Sequence, residues 1–328
     1  MELLEVQDLR TYYRTLRGDV KAVDGVSFNV EQGKATGLAG ESGCGKTTVA
    51  ISVLRILPSG ARIVGGKILY KGVDIARLAE DDMRENYRWK EISIVFQGAM
   101  NALNPVYKIS DQIVEAVTLH EPEVSRREAH ERASKLFELV GIDPSRIDHY
   151  PHEFSGGMRQ RAMIAMALAS NPSILIADEP ATALDVIVAA QVLKLLRELK
   201  SRLNLGMILI THDLSIIAEL CENCCIMYAG KIAEYGDVAT IFKEPLHPYT
   251  QGLISAFPTI NAQERMRMVS IPGTPPDLLN PPTGCRFHPR CKYAKDVCKK
   301  EDPPYAELDK GHFASCHMAV AIHQGQKW

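Results

Sequence analysis

Gly40-Glu41-Ser42-Gly43-Cys44-Gly45-Lys46-Thr47 is the stretch on which the reading of this 328-residue chain turns. It fits Gly-x4-Gly-Lys-[Ser/Thr], a phosphate loop. Its glycines let the backbone fold back until successive N–H groups line a concave nest for anionic oxygens. A helix starting at about Gly45 adds free N–H groups and the positive end of its dipole. Lys46 can then reach the β- and γ-phosphates of a nucleotide, and the Thr47 hydroxyl can ligate Mg²⁺. Upstream, Gly37-Leu38-Ala39 reads as a buried strand. Downstream, Thr48 to Leu57 reads as an apolar helix stopped by Pro58 and Gly60. This strand–loop–helix context separates the motif from a chance glycine-rich turn.

Composition is that of an ordinary globular protein, 46% hydrophobic and 24% charged, and long enough for a large core plus an appendage. With a net charge of −2 and no basic stripe, nucleic acid is disfavoured as a partner. No apolar run approaches a membrane span, and the N-terminus lacks a signal peptide's pattern. The expectation is a cytosolic protein that can still sit on a membrane protein.

Residues 1–36 read as strands, with Val26, Phe28 and Val30 alternating against Ser27 and Asn29. Tyr12 and Tyr13 are placed in a polar loop, either as a surface pair or with one ring stacked on a base. Strands and a charged segment follow to Ile92–Gln97, and residues 98–160 form a helical insert. That insert has a loop at Asn101 to Asn104 and helices at Ser110–His120 and Ser125–Val140. Ile174-Leu175-Ile176-Ala177, a helix over 184–203 and Met207–Ile210 give strand, helix, strand, the pattern of a parallel α/β sheet. Ile226–Tyr228 and Lys231–Tyr235 form a closing hairpin. From residue 236 prolines mark a stiff linker, followed by the late cysteines.

Asp178 ends the strand 174–177, where an α/β nucleotide site holds Mg²⁺, and Glu179 beside it can deprotonate the attacking water. His212 ends the next strand, within reach of a γ-phosphate or that water, although a lone histidine there also suits a structural role. Gln97 ends another strand, facing either Mg²⁺ and water or simply solvent. In Phe154-Ser155-Gly156-Gly157-Met158-Arg159-Gln160, the Ser155 hydroxyl and two glycine amides open a helix, Met158–Ser170. One chain needs one cradle for its nucleotide. A second suggests that two chains grip each γ-phosphate from opposite sides.

Taken in order, Gly40–Thr47, Gln97, Ser155–Gln160, Ile174–Glu179, Thr182–Asp185 and His212 resemble the ATP-binding cassette (ABC) ATPases. The resemblance spans roughly residues 1–235. It implies a P-loop cassette of α/β class: a RecA-like core, an antiparallel β subdomain and a helical subdomain at about 98–160. It also implies ATP and Mg²⁺ as cofactors, with Tyr13 stacking on adenine. Gly40 through Thr48, with Ser155, Gly156, Gly157 and Asp185, would hold nucleotide, and Thr47, Gln97 and Asp178 would hold Mg²⁺. Glu179, His212 and Gln97 would be catalytic. Two cassettes closing head to tail would set Ser155 and Gly157 of one against the ATP of the other.

Phe154 and Met158 depart from the broader family's usual leucine and glutamine. They are similar to one branch, the first ATP-binding subunit of dipeptide and oligopeptide importers. His247–Leu253 and Cys285–Cys291 resemble that branch's C-terminal extension, here residues 236–328. The branch implies a peripheral subunit on the cytoplasmic face of the cell membrane. Its partners would be a second, related ATPase, two transmembrane permeases and, indirectly, a substrate-binding protein. Related importers carry nickel, glutathione or oligosaccharides, and soluble cassettes act on nucleic acid or ribosomes, so cargo stays open here.

Eight cysteines divide into two groups. Cys44, Cys221, Cys224 and Cys225 lie in apolar sequence and are expected to be buried as small hydrophobes. Cys285, Cys291, Cys298 and Cys316 form a late cluster within 285–316 that points to metal. Structural zinc favours closer cysteine pairs, whereas four thiolates also suit an iron–sulfur cluster. The resemblance implies [4Fe–4S], with Zn²⁺ as the alternative and His288 and His317 as substitute ligands. The cluster is expected to be structural, apart from the phosphate chemistry.

Overall fold

The computed structural model describes residues 1–98, 102–256 and 271–327. Asn101, at the start of the expected loop, lies outside them. The strands among the described residues are, in chain order, β1 (Glu2–Thr15), β2 (Gly18–Glu31), β3 (Ala35–Ala39), β4 (Ala61–Tyr70), β5 (Val73–Asp74), β6 (Ile92–Val95), β7 (Ile174–Asp178), β8 (Gly206–Thr211), β9 (Asn223–Tyr228), β10 (Lys231–Asp237), β11 (Tyr305–Asp309) and β12 (His312–Ser315). The chain folds into two compact units interleaved along the sequence.

One unit comprises Met1–Leu3, Val30–Ala35 and Arg77–Ile210. Its β6, β7 and β8 pair in parallel, with Ile92 opposite Ile174 and Ile174 opposite Gly206. Ile174 through Ala177 are fully buried, as a parallel strand covered on both faces requires. The two helices expected in the insert are present as Ile109–His120 and Arg126–Leu139, and the helix Gly156–Ala167 follows them. Ser125 opens the second of these with a capping box. Its hydroxyl accepts from the Glu128 N–H, and the Glu128 carboxylate accepts from the Ser125 N–H. Ala129, Ala133 and Leu136 of that helix are buried, as their spacing predicts. Arg132 grips Glu121 through two nitrogens, at 2.6 and 2.9 Å, and so joins the first two helices.

The other unit comprises Leu4–Asn29, Thr36–Ala76 and Thr211–Trp328. One sheet runs in the order β2-β1-β4-β5. Val26, Phe28 and Val30 of β2 are buried, in line with their alternation. Tyr12 and Tyr13 lie within β1, not in a loop. They sit in a 14-residue run whose alternating burial outweighs its polar content. A second sheet has β3 parallel to β9, and β9, β10, β12 and β11 successively antiparallel. The expected hairpin is therefore present, but the chain beyond 236 is not a plain linker. Helices Val238–Lys243 and Pro248–Ser255 follow directly, and β12 adds an edge to β10. Leu308, Ala314, Met318 and Ala319 form a small core there.

The helix after the phosphate loop is shorter than expected, Lys46–Val53. Arg55 takes the left-handed conformation at φ 53°, and the Arg55 and Ile56 N–H groups bond back to the Ser52 and Ile51 carbonyls. This Schellman turn ends the helix before Pro58 is reached. No helix among the described residues is long and apolar enough to cross a membrane.

Candidate functional site

The phosphate loop follows β3, whose residues are all buried. Gly45 has φ 106°, and a Cβ there would meet the Ala22 carbonyl oxygen at 2.1 Å, so only glycine fits. Lys46 is buried and folds back on its own loop, donating to the carbonyls of Gly40 at 2.7 Å and Glu41 at 3.1 Å. Thr47 is exposed, and Thr48 is buried. The Tyr13 hydroxyl lies 3.1 Å from the Thr48 hydroxyl, beside the helix start. Tyr12 instead donates to Asp24 at 2.7 Å, and burial with that carboxylate pushes its phenol up to about 12. The structure thus separates the two tyrosines and places Tyr13 at the phosphate-loop helix. Cys44, Cys221, Cys224 and Cys225 are buried as expected.

In the other unit, Asp178 is buried at the end of β7. Glu179 turns off the strand at φ 46°, a left-handed conformation uncommon for a non-glycine residue. Its N–H donates to the Ile210 carbonyl at 2.9 Å. Its carboxylate accepts from the Gln97 amide at 2.8 Å and the Thr182 hydroxyl at 2.9 Å. Two residues 82 apart in sequence are thereby brought together. A carboxylate fixed by two neutral donors keeps its direction, which suits a base that orients water.

Ser155 caps the helix Gly156–Ala167 by accepting from the Met158 N–H. The helix begins two residues before the expected Met158, because the cap is Ser155 itself. Phe154 packs edge-on to Phe137, with ring centroids 6.2 Å apart. Gly157 faces Val188 so closely that a Cβ would sit 2.4 Å from its Cγ1. Asp185 caps the helix Val186–Leu203 through the Ile187 and Val188 N–H groups at 3.1 and 3.0 Å. His212 lies exposed just past β8.

Sequence reasoning missed the partners of the phosphate loop. The Arg290 guanidinium donates to both Glu41 carboxylate oxygens, at 2.6 and 2.9 Å. The Glu41 N–H donates to the Tyr249 hydroxyl at 2.9 Å. Arg286, from the same cysteine-flanked loop, pairs with Asp24 and donates to the Ala229 carbonyl. No spacing signal announces contacts made 249 and 208 residues apart.

Cys285, Cys291, Cys298 and Cys316 line one small cavity of about 20 Å³, with His288 and His317 beside them. Burial and the neighbouring cysteines push the Cys285 thiol up to about 12; burial likewise pushes Cys316 up to about 11. Both imidazoles face backbone carbonyls, His288 that of Cys285 and His317 that of Glu301. Among the described residues no three His, Cys, Asp or Glu side chains converge as a metal-ligand group. The cysteines are gathered, but the ligand set is not formed as placed.

Comparisons with known proteins bear on the fold and the family. Residues 23–182 match the ABC transporter family, and residues 233–298 match the oligopeptide/dipeptide transporter C-terminal region. The dipeptide transport ATP-binding protein DppD of Caldanaerobacter subterraneus is 42% identical, over 96% of this chain and 97% of that protein. The oligopeptide transport ATP-binding protein OppD of Escherichia coli is 43% identical, over 97% and 94%. The solved cbiO1 of Clostridium perfringens, part of the cbiONQ ABC transporter complex, is 27% identical and covers 74% of this chain and 91% of its own, with a TM-score of 0.63. The dimeric cassette MJ0796 shares the fold at 23% identity and a TM-score of 0.63, over 72% of this chain and 99% of its own. Fold and motifs define an ATPase cassette of the P-loop α/β class. The chain belongs to the ABC transporter ATP-binding family, in the branch of the peptide-transport ATPases.

Proposed function

We propose that this chain powers uptake of dipeptides or oligopeptides across a cytoplasmic membrane. It would act as a peripheral subunit paired with a second ATPase and two permeases and fed by a substrate-binding protein. Residues 1–235 would form the cassette and 236–328 the extension. What carries the reading is the Glu179 carboxylate at the end of a buried parallel strand, held by Gln97 and Thr182, in a chain that also owns an intact phosphate loop.

In this reading Gly40 through Thr48 hold the phosphates and Tyr13 stacks on the base. Lys46 leaves the carbonyls of its own loop for phosphate oxygens. Glu179 takes a proton from the attacking water while Gln97 and His212 orient it. Thr47, Gln97 and Asp178 would hold Mg²⁺, which would supply neutralisation of phosphate charge. Ser155, Gly156 and Gly157, with Asp185 nearby, would meet nucleotide bound to the partner cassette. A hydroxyl and free amides at a helix start suit that contact. The four cysteines around one cavity support a [4Fe–4S] cluster as the finer reading of the tail, since a Cys₄ donor set suits iron–sulfur chemistry.

The test is transport itself. The assembled importer in proteoliposomes should accumulate labelled peptide only with ATP, and the Lys46→Ala subunit should abolish uptake. Uptake of nickel or an oligosaccharide in place of peptide would reassign the cargo.

A further inference from the structure

The loop between the first two cysteines of the tail ends on the phosphate loop. Arg290 places both terminal nitrogens on the Glu41 carboxylate, at 2.6 and 2.9 Å, in the bidentate geometry that only a guanidinium offers. Its side chain is 5% exposed and that of Glu41 is 28% exposed. The rest of the guanidinium is also bonded, to the Pro272 carbonyl at 2.8 Å, the Ile271 carbonyl at 3.4 Å and the Tyr228 hydroxyl at 3.3 Å. A second contact reaches the same residue through the main chain, where the Glu41 N–H donates to the fully buried Tyr249 hydroxyl. That amide is therefore not one of the donors left for phosphate. Beneath both contacts Tyr228, Tyr249 and Phe287 form an aromatic trio, with ring centroids 4.7 to 5.4 Å apart.

We propose that Arg290, seconded by Tyr249, is a positioning residue for the nucleotide site: it latches the phosphate loop and cancels the Glu41 charge. Glu41 is a carboxylate inside a loop that must receive a polyanion. Left unpaired and half-buried, it would repel the phosphates and free the loop to leave its nest conformation. With Arg290 in place the loop is locally neutral and held from both side chain and backbone. The extension thus acts on ATP binding and is more than an appendage. This rests on reading Gly40–Thr47 as the nucleotide site, and the experiment keeps the two ideas apart.

ATP affinity is measured by equilibrium titration of the full chain with Mg²⁺–ATP, for wild type, Lys46→Ala, Arg290→Ala and Arg290→Ala combined with Glu41→Gln. Lys46→Ala should lose binding; if it binds ATP as wild type does, the nucleotide reading itself fails. Arg290→Ala should weaken ATP about tenfold, the equivalent of about 1.4 kcal/mol. Adding Glu41→Gln should recover most of that loss, which a purely structural role for Arg290 would not produce. In turnover assays of the assembled ATPase the change should fall on KM more than on kcat. Arg290→Ala binding as tightly as wild type, or a double variant as weak as the single, would overturn the proposal. Should Arg290→Ala fail to fold, Tyr249→Phe carries the test. It deletes only the hydroxyl that receives the Glu41 N–H, so amide exchange across Gly40–Thr47 should quicken about tenfold, and unchanged exchange would overturn the latch.

Discussion

The side-chain amide of Gln97 donates a 2.8 Å hydrogen bond to the carboxylate of Glu179, across the ends of neighbouring strands β6 and β7. The same oxygen, Oε2, also accepts from the Thr182 hydroxyl at 2.9 Å. This carboxylate, the proposed base, is thus directed by neutral donors, and its backbone is held left-handed at φ 46°. Such strain persists where the surroundings fix it.

Gln97→Ala should therefore leave ATP affinity nearly unchanged while lowering kcat by about tenfold or more, because it removes orientation but not phosphate contact. Steady-state ATPase assays beside equilibrium binding check this. A rise in Kd matching the fall in kcat would count against the assignment.

The signature segment makes two separable predictions. Ser155→Ala removes the cap on Met158 and should cost about 1 kcal/mol of stability. Its larger effect should be loss of ATPase activity in the assembled transporter, with ATP binding by the isolated chain retained. Equal loss of affinity in the isolated chain would refute a role on the partner's nucleotide.

Gly157→Ala should destabilise by about 1–3 kcal/mol, since its new methyl meets Val188 at 2.4 Å. Adding Val188→Ala should recover part of the loss in denaturant unfolding. Absence of any recovery would mean that the clash is not the cause.

The tail is anchored by a buried carboxylate. Glu234 accepts from the Leu246 and His247 N–H groups, both at 2.9 Å, and lies 2.7 Å from His312 Nε2. Glu234→Ala would strand these partners in a buried site and should cost about 3–5 kcal/mol. Limited proteolysis should then cut within 238–328 first; a chain as stable and resistant as wild type would contradict this.

The [4Fe–4S] reading predicts brown protein after anaerobic purification, with iron and sulfide in equal amounts, and Cys298→Ser should bleach it. Colourless protein with one zinc per chain would replace the cluster by zinc.

The cassette was legible because its motifs pair local composition with local geometry. Gly40–Thr47 lies between a strand and a helix, and Ile174–Ala177 carries the unbroken apolar run of a covered strand. The helix after Ser125 was announced by Ala129, Ala133 and Leu136 recurring at helical spacing. Tyr12 and Tyr13 were misplaced in a loop because polar neighbours masked the alternation of β1, which pairs between β2 and β4. The tail was the least legible part. Its strands β11 and β12 are short, and β12 gains stability by pairing onto β10 and β11 by pairing onto β12, which no local pattern records. The contact between the tail and the phosphate loop was illegible for the same reason. Arg290 meets Glu41 through tertiary folding, and neither residue's neighbours in sequence encode the other.

Glu179→Gln tests the central claim most directly, because it keeps the shape of the side chain and removes only its basicity. In the assembled ATPase the variant should bind ATP with wild-type affinity, turn it over at least about a hundredfold more slowly, and accumulate as an ATP-bound pair of cassettes. Steady-state hydrolysis at the wild-type rate would contradict the account.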